Sequence, residues 1–169
     1  MAQTSCTIPD IQSTQDARRI AIDRVGIKDI RHPVFVRDSQ GNRHPSVATC
    51  SMYVNLPHDR KGTHMSRFVA MLNEGEVEAS VPAFHDMLER MTERLEAETG
   101  FIEMAFTYFL EKAAPVSGQK SLMDYDVTLV GQTGPEGTEV RVRLTVPVTS
   151  LCPCSKEISE YGAHNQRSH

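Results

Sequence analysis

Apolar and polar residues alternate with a period of two along several stretches of the chain, and with a helical period along two others. Ala48, Cys50, Met52, Val54 and Leu56 alternate with Val47, Thr49, Ser51, Tyr53 and Asn55, which predicts a strand from about Pro45 to Leu56. A shorter run before it, DIRHPVFVR from Asp29 to Arg37, predicts another strand, with Pro33 suited to an edge or a strand start. The intervening DSQGN has turn composition. Met65, Phe68, Val69 and Leu72 then follow i, i+3, i+4, i+7 spacing and predict a helix beginning at Gly62–Thr63, with Thr63 as N-cap and Gly75 as stop. Val81, Phe84, Leu88, Met91 and Leu95 predict a second helix, starting at Ser80 with Pro82 in its first turn and ending at Gly100. Asp86 and Arg90 are spaced for an ion pair on its wet side.

Strand periodicity returns at Ile102–Leu110, at Tyr125–Leu129 and at Val140–Val148, with GQTGPEG (Gly131–Gly137) joining the last two as a hairpin. The order is strand, strand, helix, helix, strand, strand, strand. That grouping predicts an α+β fold, an antiparallel sheet covered on one face by two helices. Cys50 lies on the apolar side of its strand and reads as a core residue, and the methionines of the helices read as core filler.

Composition adds limits rather than identity. At 169 residues, 39% hydrophobic and 24% charged, the chain can build a core without covalent staples, so its 4 cysteines need not be a disulfide framework. Residues 1–22 are polar and read as a flexible arm without an apolar signal region, and no apolar run reaches the length of a membrane span. A cytoplasmic, reducing location follows, in which cysteines are buried, metal-bound or catalytic rather than paired. The net charge of −4 gives no long-range attraction to nucleic acid or to an acidic membrane.

Three clusters can carry chemistry. The stretch SLCPCSKEISEYGAH holds Cys152, Cys154 and His164. A short helix from Ser155 to Tyr161, stopped at Gly162, would turn the chain back and return His164 toward the thiols. Thiolate and imidazole are borderline-soft donors suited to zinc and other transition ions. These residues form either a metal or catalytic site, using one cysteine, His164 and ligands from elsewhere, or two thiols beside a loop histidine. The second cluster, LPHDRKGTHMSRF, gathers His58, Arg60, Lys61, His64 and Arg67 at a helix start and suits a phosphate, or is a solvated basic loop. In the third, Asp124 and Asp126 share one side of a strand, with Arg141 or Arg143 as cross-strand partners in a structural ion pair. His85 reads as structural, and His32 and His44 sit at strand ends. Glycine-rich dinucleotide, P-loop and G-x-S-x-G patterns are absent from the sequence.

The segment PVTSLCPCSKEISEYGAHNQRSH (Pro147–His169) closely resembles the signature of the type IB GTP cyclohydrolases. VGIKDIRHP, LPHDRKGTHMSRFVAMLNE and APVSGQKSLMDYDVTL resemble further segments of that family in the same order. The resemblance implies a tunnelling fold, in which antiparallel sheets with paired helices assemble into barrels, and a homotetramer with active sites between subunits. It implies hydrolysis of GTP to 7,8-dihydroneopterin triphosphate and formate, the entry to folate-type pterins. It also implies a divalent transition metal, zinc or manganese, held by Cys152. His164 would be a second ligand or a proton-transfer group, Cys154 would lie beside the metal, and His64, Ser66 and Arg67 would lie in the substrate region.

The family carries two such units in tandem. The chain is therefore expected to comprise an arm (1–22), a first tunnelling-fold unit (23–150), and an active-site segment (151–169) leading into a second unit that is missing. Two further expectations compete with a cyclohydrolase: a truncated, catalytically inactive tunnelling-fold module, and another tunnelling-fold enzyme such as a nitrile reductase acting on a deazaguanine. The CPCSKEIS…GAHNQRSH run disfavours the last.

Overall fold

The computed structural model describes residues 11–12, 14–114, 117–151, 157 and 163–168. β1 (Ile22–Arg37) and β2 (Arg43–Leu56) form an antiparallel hairpin. Its turn is built by Asp38, whose carboxylate accepts the backbone N–H groups of Gln40 at 2.9 Å and Asn42 at 2.8 Å, while Gly41 supplies φ +85°. β1 begins well before the predicted Asp29. Register shifts at Ile22/Val25 and Ile27/Ile30 break its alternation, so the pattern hides the first half of the strand. Asp29 sits in the second bulge with φ 57°, and its N–H donates to Ser51 Oγ at 3.2 Å.

Helix α1 (Met65–Asn73) starts one residue later than its predicted cap, with His64 rather than Thr63 at the N-cap, and Glu74 rather than Gly75 closes it. It buries Phe68, Met71 and Leu72, whereas Met65 and Val69, both expected on the apolar face, are exposed. A two-residue strand, β3 (Val77–Glu78), pairs parallel to β1; it is too short for any periodic signal. Helix α2 (Val81–Leu95) follows. Its Ser80 N-cap accepts from the Ala83 N–H at 3.4 Å. It ends on Glu96 in the left-handed conformation, well before Gly100, which opens the next strand. Arg90 does not pair with Asp86; it reaches Glu74 at 2.8 Å and so ties α2 to the end of α1.

β4 (Gly100–Ala113), β5 (Lys120–Gly134) and β6 (Gly137–Thr145) complete a six-stranded mixed sheet in the order β3-β1-β2-β4-β5-β6. The β5–β6 turn is confined to Pro135 and Glu136, tighter than the predicted stretch. The predicted last strand divides at Pro147: β6 stops at Thr145, and a separate β7 (Val148–Leu151) pairs with β8 (Ala163–Ser168). Proline cannot donate to a ladder, which accounts for the break. The predicted helix from 155 to 161 lies outside the described residues except for Glu157, which is helical.

Both helices cover one face. Val34, Val36, Ala48, Cys50, Met52, Val54, Ile102, Met104, Val127 and Leu129 meet Phe68, Leu72, Phe84, Leu88 and Met91 in a single buried cluster. Each fully buried large side chain contributes on the order of 1.5–3 kcal/mol. The architecture is α+β and matches a tunnelling-type unit, with the sheet left open rather than closed into a barrel. At its β6 edge, Val142 and Leu144 pair with Leu129 and Val127 and share their face, yet remain exposed beyond the reach of the helices.

Candidate active-site segments

The chain leaves β6 through Val146 and Pro147 and enters the β7–β8 ribbon. Val148 pairs with Ser168, Thr149 with Arg167 and Leu151 with Ala163. The backbone therefore folds back on itself, with Cys152 directly following one member of the last pair and His164 directly following the other. Cys152 and Cys154 lie outside the described residues. For His164 the backbone alone is described, as part of β8.

The basic cluster occupies the loop between β2 and α1, and that loop is held from two sides. Residues of the arm run antiparallel to it: Asp16 N–H donates to Asp59 O at 2.9 Å, Lys61 N–H to Thr14 O at 3.2 Å, and Gly62 N–H to Gln12 O at 3.2 Å. A β-carbon at Gly62 would stand 1.9 Å from Gln12 Oε1, so glycine admits this close approach. On the other side stands Glu96. Its carboxylate is 3.2 Å from Arg60 Nη1 and 3.9 Å from Arg67 Nη1, and Arg67 also donates to the Arg94 carbonyl at 3.2 Å. His64 is half-buried at the N-cap, its carbonyl accepting from the Arg67 N–H at 3.0 Å, and Ser66 is exposed on the first turn. His64, Ser66 and Arg67 thus share one end of α1. Glu96 was not legible as a partner because periodicity carries α2 on to Gly100. The signal that finds it is an acidic residue just past Leu95, the last apolar position of the stripe.

The remaining candidates resolve as structure. Cys50 is fully buried, and desolvation pushes its thiol up to about 11. Asp38 is held well below the usual carboxylate range by the His44 ring at 3.0 Å, by the Asn42 side-chain amide, and by the turn N–H groups of Asn42 and Gln40. The register places Arg141 opposite Val130 and Arg143 opposite Thr128, with Asp126 opposite Thr145, and Arg141 pairs with Glu139 at 2.8 Å. The expected cross-strand ion pair is thus not directly across the hairpin. Among the described residues one group has metal-ligating composition, His85, Asp86 and Glu89 on the outer side of α2. The His85 ring nitrogens lie 3.9 Å from Asp86 and 3.8 Å from Glu89, and all three side chains are largely exposed. The described helices include none long and apolar enough to cross a membrane.

Comparison with known proteins places this geometry. The profile of the family described as type I GTP cyclohydrolase FolE2 matches residues 8–169. The chain belongs to the type I GTP cyclohydrolase FolE2 family. It is 59% identical over 162 residues to GTP cyclohydrolase FolE2 of Methylobacillus flagellatus, covering 96% of this chain and 61% of that protein. It is 60% identical over 163 residues to that of Azoarcus sp. strain BH72, with coverage of 96% and 61%. Against the Thiobacillus denitrificans protein the values are 57% over 169 residues, 100% and 63%. The chain thus spans about three fifths of the length of the FolE2 relatives it matches. The FolE2 match includes both the basic loop and the Cys152–His164 segment.

Proposed function

We propose that this chain supplies the metal-binding segment and part of the substrate region of a GTP cyclohydrolase. The reaction takes GTP and water to 7,8-dihydroneopterin triphosphate and formate, for folate-type pterin synthesis in the cytoplasm. The observation that carries the proposal is the pairing of Leu151 with Ala163, which closes the base of the segment bearing the CPC motif and brings the backbone at His164 back beside Cys152.

The donor set fits a divalent transition metal. A thiolate from Cys152 and an imidazole from His164 are the mixed S/N donors that zinc accepts readily, and manganese is the other candidate. When bound, such an ion supplies the Lewis acidity that makes water nucleophilic near neutral pH, as attack at C8 of guanine demands. Cys152 acts as the anchoring ligand, its proton lost on binding. His164 serves as a second ligand, or moves a proton between water and the opening imidazole ring of the substrate. Cys154 stands beside the metal. His64, Ser66 and Arg67 lie at the start of α1, where backbone N–H groups and a guanidinium suit the phosphates of GTP. The exposed apolar residues Val142, Leu144 and Val146 along the β6 edge support assembly into a homo-oligomer, a tetramer in this family.

The test is formate release and fluorescence of the oxidised pterin when the purified chain is incubated with GTP and zinc or manganese. Product that disappears in Cys152→Ala is the expected result. Product that persists in Cys152→Ala overturns the role given to this segment.

A further inference from the structure

Glu96 occupies a position unfavourable for a glutamate in two respects. Its backbone is left-handed, φ 52°, where helices usually place glycine or asparagine because a β-carbon is crowded there. Its carboxylate also stands at the C-terminal end of α2, where the aligned peptide dipoles favour cations. What offsets both is the pair of arginines it meets. Arg60 comes from the loop after β2 and Arg67 from the first turn of α1, and the two oxygens of Glu96 are divided between them at 3.2 Å and 3.9 Å.

A carboxylate seated between two guanidinium groups has the arrangement in which arginines bind phosphate oxygens. The arginines are organised independently of it: Arg67 is fixed by the Arg94 carbonyl, and the loop of Arg60 is fixed by the backbone bonds from Thr14 and Gln12. The three side chains are 37%, 36% and 60% exposed, so solutes reach them and the ion pairs are weak enough to exchange.

We propose that Glu96 is an internal counter-ion that holds the anion position between Arg60 and Arg67, and that the polyphosphate of a nucleoside triphosphate must displace it to bind. The proposal rests on assigning the start of α1 to the substrate's phosphates. It makes Glu96 a determinant of affinity that acts against binding. A positioning role, with Glu96 orienting the arginines for the ligand, predicts the opposite sign.

Calorimetric titration separates the two. The unaltered chain, Glu96→Gln, Arg60→Ala and Arg67→Ala are titrated with tripolyphosphate, GTP and guanosine at one ionic strength. Glu96→Gln keeps the side-chain length and removes only the charge. It is expected to tighten tripolyphosphate and GTP by the same factor, roughly 3- to 10-fold, as fits the loss of two exposed ion pairs. Guanosine binding is expected to stay unchanged. Unchanged or weaker polyphosphate binding by Glu96→Gln overturns the counter-ion role while leaving the phosphate assignment intact, provided the arginine variants lose affinity. Arginine variants that bind tripolyphosphate as well as the unaltered chain, or no binding by any variant, overturn both. Should Glu96→Gln fail to fold, Glu96→Gly removes the same charge, relieves the left-handed backbone, and is expected to tighten binding likewise.

Discussion

Gly131 of β5 lies so close beneath Leu88 of α2 that a β-carbon there would stand 2.3 Å from Leu88 Cδ1 and 2.7 Å from Phe84 Cε1. Both neighbours are buried in the core, so neither side chain has space to swing away. Gly131→Ala is therefore expected to lift α2 from the sheet and destabilise the chain by about 1–3 kcal/mol, the cost of overpacking. Urea unfolding measures it; a change within about 0.5 kcal/mol, typical of surface positions, contradicts the packing described.

Cys50 makes a pH-dependent contribution with a definite sign. Its thiol is raised in the folded chain from an ordinary 9.0 to about 11. The unfolded chain therefore loses this proton first, and between those values the folded state binds more protons. Stability contributed by the neutral buried thiol is fully present below pH 9 and is lost as pH rises toward 11. The unaltered chain should lose stability more steeply over that window than Cys50→Ala, as read by denaturation at successive pH values. Parallel curves would contradict the burial.

Asp38 has the opposite sign. Its carboxyl is lowered from an ordinary 3.8, chiefly by His44 and by the Asn42 side chain. The turn it builds is stabilised above pH 3.8, and this contribution is lost as pH falls below that value toward the depressed folded value. The advantage of the unaltered chain over Asp38→Asn should be constant near neutrality and shrink in acid. Faster amide exchange at Gln40 and Asn42 in the variant locates the effect.

Gly62→Ala tests the tie between arm and loop. The added methyl meets the end of a flexible Gln12 side chain, so the expected stability change is small, under about 1 kcal/mol. The expected local effect is larger: the amides of Asp16, Lys61 and Gly62 exchange faster as the arm separates from the loop. Unchanged exchange at all three contradicts the contact.

Much of this architecture was legible in the sequence because burial on one face imposes a period. The alternation from Ala48 to Leu56 and the stripe Phe84–Leu88–Met91–Leu95 are retained in the core. The sequence failed where geometry interrupts the period. Bulges at Ile27/Ile30 hid the first half of β1, and the two residues of β3 carry no period at all. Val69 matched the helical spacing but faces solvent, because the α1 stripe is centred on Phe68, Met71 and Leu72. The α2 stop at Glu96 was invisible because a left-handed glutamate lacks the usual glycine signal. In the basic cluster, residue types pointed to anion binding, but the carboxylate between Arg60 and Arg67 comes from a distant part of the chain that no local pattern connects.

Metal content tests the central claim most directly. Equilibrium dialysis of the unaltered chain, Cys152→Ala, His164→Ala and Cys154→Ala against zinc and against manganese is read by elemental analysis. The account predicts close to one equivalent in the unaltered chain for the metal it takes, as a single site requires. It also predicts near-complete loss in Cys152→Ala, weakening in His164→Ala, and a smaller loss in Cys154→Ala. Equal loss on replacing either cysteine, or retention in Cys152→Ala, would contradict it.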